Sequence, residues 1–251
     1  MRKFLILTIL LIIGGVYCSA EDKSSHSKDK EQKALEFFRA NKNIYVSTER
    51  IGISKNANIS DDDLVNLKDL PNLKSLGIQS EKITDKGLSN IKGLQNLEIL
   101  EIECPLVTDK VAEIIKDKKN LMILNLSSTQ LTDDGVKNLV NLTNLEMLDL
   151  SNTKITGKSL QYISNMGNLA RLYLGKNAIN DEDLKYVINM KSIRELMLYE
   201  TNVTDKGLEH LESLDNLAEL SLERTKVTSE GKKKLEDKLP DCIIFTEYIV
   251  P

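Results

Sequence analysis

The sequence predicts an α/β solenoid, a curved stack of short units in which a strand is followed by a short helix. Three observations predict it. A 24-residue period runs without a gap from Leu73 to Pro240. Within each unit, apolar residues stand two apart, the signature of a short strand with one buried face. Farther along, one column holds only residue types that cap helix N-termini.

The units begin at Leu73, Leu97, Leu121, Leu145, Leu169, Ile193 and Leu217, and a unit one residue longer precedes them from about Thr48 to Asn72. The fourth position reads Ile51, Leu76, Leu100, Leu124, Leu148, Leu172, Leu196, Leu220. The sixth reads Ile53, Ile78, Ile102, Leu126, Leu150, Leu174, Leu198, Leu222. These are the inward faces of the strands. A third apolar column, from Ile59 to Val227, follows five residues on.

Next comes the capping column: Ser60, Thr84, Thr108, Thr132, Thr156, Asn180, Thr204 and Thr228. An Asp follows in six of these eight units, where its charge suits the positive end of a helix dipole. Apolar residues at helical spacing then appear, such as Val136 with Leu139 and Leu208 with Leu211. A single unit buries too little to offset the entropy of ordering its backbone, so the units must stack and share their apolar faces. Strands pack about 4.8 Å apart and helices about 8–10 Å apart, so the stack bends with the strands inside.

These motifs resemble the leucine-rich repeat family in its LxxLxL form, over about Thr48 to Pro240. The T-x-[IVL]-T-D-x-G stretches, Thr129–Gly135 and Thr201–Gly207, are similar to a bacterial 24-residue variety. The resemblance implies a right-handed horseshoe, with parallel strands on the concave face and short helices on the convex face. Glu81 and Pro105 depart from the pattern at the turn after the strand, where later units carry Thr129, Thr153, Asn177, Thr201 and Thr225.

Outside the repeats, residues 1–20 read as a signal peptide, with Arg2 and Lys3 before an apolar run and small residues at Ser19 and Ala20. The run is short for a membrane span. Cleavage after Ala20 is expected. The alternative is a lipoprotein leader with the lipid on Cys18, for which Tyr17 is a poor neighbour. Residues 21–32 read as a disordered, charged spacer. Residues 33–47 read as an N-terminal cap made of a helix from Lys33 to Ala40 and an edge strand, and residues 241–251 as a C-terminal cap with a strand at Ile243–Thr246. Between the caps, residues 48–240 form the solenoid.

The net charge of −4, more negative still without Arg2 and Lys3, argues against nucleic acid, which needs a basic stripe. Cys104 and Cys242 lie too many strands apart for a disulfide and read as partly buried thiols. The two histidines and scattered carboxylates form no metal-ligand or catalytic spacing, so no enzyme activity, cofactor or metal is expected. The Asp column could suggest calcium, but one carboxylate per unit leaves most of the oxygens calcium needs unsupplied, and helix capping accounts for it.

The informative positions are the third, fifth and seventh, which alternate with the buried leucines and point out of the sheet. An apolar stripe, Ile99, Ile123 and Met147, crosses three strands, with Glu101, Asn125 and Asp149 beside it. A mixed patch of Arg171, Tyr173, Met197 and Tyr199 lies next to it. Apolar patches with polar rims mark binding sites, and Tyr, Met and Arg are common interface anchors. The expected function is an exported, monomeric, non-enzymatic module that recognises a protein or peptide on its concave face. The alternative is a structural or adhesive cell-envelope lipoprotein, which touches a membrane only if Cys18 is lipidated.

Overall fold

The structure, a computed structural model, describes residues 25–247. The expectations for the signal peptide, for Cys18 and for residues 248–251 fall outside them. One sheet holds ten strands in sequence order: β1 (Ile44–Val46), β2 (Arg50–Ile53), β3 (Ser75–Gln79), β4 (Ile99–Glu103), β5 (Ile123–Asn125), β6 (Met147–Asp149), β7 (Arg171–Tyr173), β8 (Glu195–Met197), β9 (Glu219–Ser221) and β10 (Ile243–Phe245). From β3 to β9 the register places each residue beside its equivalent one repeat away, as in Leu100 with Leu124 and Leu148. Short α-helices and 3-10 helices form the second layer. The leucine columns between the layers are buried along the whole stack.

Two features of the N-terminal end correct the sequence reading. The first helix, α1, spans Ser25–Ala40, so Ser25–Gln32 is helical rather than a disordered spacer. Ala34, Leu35 and Phe38 are buried against the first repeat and fix the helix there. Pairs one turn apart then extend it toward Ser25: Lys33 Nζ donates to Asp29 at 2.8 Å, and Gln32 to Glu36 at 2.9 Å. The second correction is that the sheet is not wholly parallel. β1 runs antiparallel to β2, because residues 47–49 are far too short for the crossover a parallel pair requires.

The turns after the strands explain a change in strand length. From Thr129 onward, the Thr hydroxyls donate to the carbonyl three residues back, as Thr129 to Leu126 at 2.7 Å and Thr201 to Leu198 at 2.6 Å. The residue before each is left-handed: Ser128, Asn152, Lys176, Glu200 and Arg224 all have φ between 54° and 60°. The kink turns the chain out of strand geometry, and β5 to β9 are three residues long, while backbone bonds between repeats continue up to it, as from Ser128 N to the Ser151 carbonyl at 3.0 Å. Pro105 has no side-chain donor and an ionised Glu81 has none either. In their units Ser80 and Cys104 have no positive φ, and β3 and β4 run on to five residues.

Two side-chain ladders join successive repeats. In one, the Asn that closes each of five units donates to a carbonyl of the unit before, as Asn144 to Lys119 at 2.8 Å and Asn168 to Thr143 at 2.9 Å. In the other, the Asp that follows the capping column reaches the next repeat. Asp109 accepts from the backbone N–H and the hydroxyl of Thr132, each at 2.7 Å, and Asp181 does the same for Thr204. The carboxylate thus joins repeats as well as facing its own helix. Thr84, Thr132, Asn180, Thr204 and Thr228 accept from the first turn of their helices. Thr108 and Thr156 accept likewise from Lys110 N at 3.5 Å and Lys158 N at 3.3 Å, and the capping expectation fails at Ser60, whose hydroxyl instead donates to Asp63 at 2.7 Å.

At the C-terminal end, the last helix lengthens to Ser229–Lys238, and Leu235 and Leu239 fill the core that Lys232 and Lys238 do not. Both described cysteines are free and buried. Burial pushes the thiol of Cys104 up to about 12 and that of Cys242 up to about 11.

Candidate protein-interaction face

The outward columns of β2 to β9 form one continuous surface, because each strand pairs in register with the next. Crowding on that surface divides the candidate residues. Ile123 and Met147 are only 8% and 9% exposed, and Asn125 7%. Strands about 4.8 Å apart bring neighbouring side chains into contact, so each covers its neighbours. The stripe is therefore largely shielded, which corrects the expectation of an open apolar patch there. Ile99, Glu101, Asp149, Arg171, Tyr173, Met197 and Tyr199 keep partial exposure.

Asn125 and Asp149 also hold the backbone. Asn125 Oδ1 accepts from Ser127 N at 2.8 Å, and Asp149 Oδ1 from Ser151 N at 2.8 Å, closing the strand ends as Asx turns. Tyr173 donates its hydroxyl to Glu195 Oε2 at 2.7 Å. Burial, that hydrogen bond and the Glu195 charge hold the phenol well above its ordinary range. The ring of Tyr199 lies over Gly175, in space that a side chain there would fill. Tyr173 and Tyr199 are thus placed by neighbours one strand away.

The charge on this face is mostly negative. Glu101, Glu103, Asp149, Glu195, Glu219 and Glu223 lie on it, against Arg50 and Arg171. Burial raises the pKa of Glu101, and the charges of Glu103 and Asp149 raise it further.

The sequence reading missed two parts of this surface. Ile243 and Phe245 extend it past β9, and Ile243 is 58% exposed. Tyr45 opens it at the other end, opposite Gly52 and 61% exposed. Alternation within Ile44–Val46 could have signalled Tyr45, but only once the strand was known to pair with β2.

A family model described as leucine rich repeat matches residues 119–179. The chain has the leucine-rich repeat fold. Among solved structures, it is similar to internalin C2 from Listeria monocytogenes, with 26% identity, a TM-score of 0.63, and coverage of 78% of this chain and 80% of that one. A plant ice-binding protein shares the fold at 17% identity and a TM-score of 0.53, covering 73% of this chain and 59% of that one. A Leptospira interrogans LRR protein aligns at 23% identity with a TM-score of 0.47, over 72% of this chain and 50% of that one. No curated protein sequence matches the chain.

The leucine-rich repeat match falls on β5 to β7, the part of the array where the Thr turn and left-handed residue recur. Among the described residues, no helix is long and apolar enough to cross a membrane, and no group of His, Cys, Asp or Glu could hold a metal ion.

Proposed function

We propose that this leucine-rich repeat protein is an exported, non-enzymatic, monomeric recognition module that binds a protein or peptide on its sheet face. The observation that carries this reading is the half-exposed cluster of Arg171, Tyr173, Met197 and Tyr199 on a rigid wall of paired strands, ringed by carboxylates. Its aromatic rings are already positioned, so little side-chain entropy is lost on binding. The largely covered Ile99, Ile123 and Met147 stripe supports the wall, and its partly exposed Ile99 end adds contact area.

Capture from an extract of the same cell's envelope, using the chain from Glu21 onward as bait, tests the assignment. Joint replacement of Tyr173, Met197 and Tyr199 by Ser is expected to remove the captured partner while leaving far-UV CD unchanged. A helix-side control, Glu113→Gln with Asp117→Asn, should retain it. Equal capture by the triple variant would refute this face. Export has its own readout, the mass of the mature N-terminus: a chain beginning at Glu21 supports cleavage, and a lipid on Cys18 supports tethering.

A further inference from the structure

Most crowded glycines of this chain have a neighbour that explains them. A side chain at Gly87, Gly135, Gly207 or Gly231 would collide with the carboxylate of the preceding repeat, and one at Gly175 with Tyr199. Gly52 and Gly77 are different. They sit side by side in the middle of β2 and β3, facing out of the sheet. Neither has a positive φ. A Cβ on Gly52 would meet only Tyr45 Cβ at 3.7 Å, and one on Gly77 only Glu101 Oε2 at 3.5 Å, both ordinary contacts. Glycine inside a strand weakens it and often marks a place where a ligand approaches the backbone. Among the described residues, nothing requires glycine at either position.

Together they make a bare floor two strands wide. Tyr45 forms one wall, since it pairs with Gly52 and is largely exposed. Glu101 forms the other, as the partner of Gly77 in β4. Glu103 stands beside it and accepts from Gln79 Nε2 at 2.9 Å, at the lower rim. Arg50 and Ser75 occupy the opposite rim, so the negative charge lies on the β4 side.

We propose that the Gly52–Gly77 trough receives an arginine or lysine side chain from an extended segment of the protein partner, held between the ring of Tyr45 and the carboxylates of Glu101 and Glu103. Three features converge on a cation. An exposed aromatic face attracts one. Two adjacent carboxylates offer paired acceptors. A floor without side chains lets the incoming main chain come close. Burial is the main cause of the raised pKa of Glu101, and the charges of Glu103 and Asp149 add a smaller part that reflects the negative potential here. A bound cation would relieve it.

This inference rests on reading the sheet face as the contact surface and adds the chemistry of one contact. The test uses a fluorescein-labelled Gly-Arg-Gly-Arg-Gly peptide at physiological salt, followed by anisotropy, with the citrulline version as a neutral isostere. The arginine peptide should bind, and the citrulline peptide should bind at least about tenfold more weakly. Gly77→Leu fills the trough without changing charge and should weaken binding by about tenfold. Tyr45→Ser and Glu101→Gln should each weaken it as well. Gly77→Val serves if the leucine variant fails to fold as judged by CD. The helix-side control Glu113→Gln with Asp117→Asn should bind as the parent does.

Equal affinity for the citrulline peptide would overturn the proposal by showing that charge plays no part, and undiminished binding by a folded Gly77 variant would overturn it by reducing the attraction to general acidity. The variants lie on β1 to β4, away from Tyr173 and Tyr199, and the probe is synthetic. Failure here therefore leaves the partner-capture reading standing, and failure of capture leaves this binding measurable.

Discussion

Gly157 and Asp183 have exchanged roles across one inter-repeat junction. At four other junctions the Asp lies in the earlier repeat and the glycine in the later one, as with Asp109 and Gly135, or Asp181 and Gly207, while Val111 and Ser159 stand opposite Asp85 and Asp133. At this junction the glycine is Gly157 in the earlier repeat, and a Cβ on it would fall within the carboxylate of Asp183 in the later one. Asp183 Oδ2 accepts from Asn180 N at 2.9 Å, serving the same backbone N–H that the earlier Asp serves elsewhere. One carboxylate fits in each junction, and it can come from either side.

Replacing Gly157 with Ala should therefore destabilise the protein by about 1–3 kcal/mol, since the new methyl has no space. The reciprocal exchange, Gly157→Asp with Asp183→Gly, should recover most of the loss by restoring the common arrangement. Urea unfolding of the parent, both single variants and the double variant gives the coupling energy. Additive effects of the two substitutions would contradict a shared space.

The columns of this fold were legible because burial repeats with the sequence period, so Leu100, Leu124 and Leu148 identify one another. The partner of Asp109 was not legible. Its nearest helix N-terminus in sequence is its own, whereas the N–H and hydroxyl it binds belong to Thr132, 23 residues on. Only the stacking offset between repeats decides that. The direction of Ile123 and Met147 could likewise be read from alternation, but their cover by side chains on adjacent strands could not. Tyr45 was obscured by a strand that reverses direction, which a repeat pattern does not encode. The burial of Lys118 was not legible either, because its column holds Leu or Met from Leu70 to Leu214 and a second lysine only at Lys238, in the last unit.

Asp205 should make part of the stability sensitive to acid. Its hydrogen bonds from the hydroxyl and backbone N–H of Thr228 hold its carboxyl below the usual range. A carboxyl lowered in the folded state stabilises above its unfolded pKa of about 3.9, and that contribution is lost as pH falls through the lower folded value. Asp205→Asn should lower stability at pH 7 by about 1 kcal/mol. The difference between variant and parent should shrink as pH drops below about 4. Melting curves from pH 7 to pH 2.5 provide the check, and a constant difference would count against the assignment.

Lys118 should add a second rise of stability with pH, in alkali. It is 1% exposed, and Nζ donates to the Leu94 carbonyl at 2.7 Å and to the Lys92 carbonyl at 3.3 Å. Burial pushes its ammonium down from 10.5 to about 8. The unfolded chain then binds more protons than the folded one between those values, so stability rises with pH across that window. Lys118→Met matches the methionines of its column and removes the buried charge. The variant should be more stable than the parent at pH 7 by about 1 kcal/mol. Its advantage should decline between pH 8 and 10.5, the interval set by the two pKa values. Denaturant midpoints of the pair at several pH values measure this, and an advantage that grows with pH would reverse the sign.

The junction rule also predicts which repeat can be removed. Deleting residues 121–144 sets Asp109 against Thr156 and Ser159, groups that already accept the equivalent carboxylate, because Ser159 Oγ donates to Asp133. The shortened array should still unfold in one cooperative transition. Deleting residues 145–168 instead sets Asp133 against Asp183, two carboxylates contending for the Asn180 N–H in a space that holds one. Both deletions remove 24 residues and one turn of the same leucine columns, so burial lost is closely matched. The second variant should nevertheless melt about 5 °C lower than the first. Adding Asp183→Gly to it should restore most of that difference, since Asp133 would then meet a glycine as Asp109 does in the parent. Calorimetry on the three proteins decides the matter, because equal melting temperatures for the two deletions would mean that the junction carboxylate has no part in holding neighbouring repeats together.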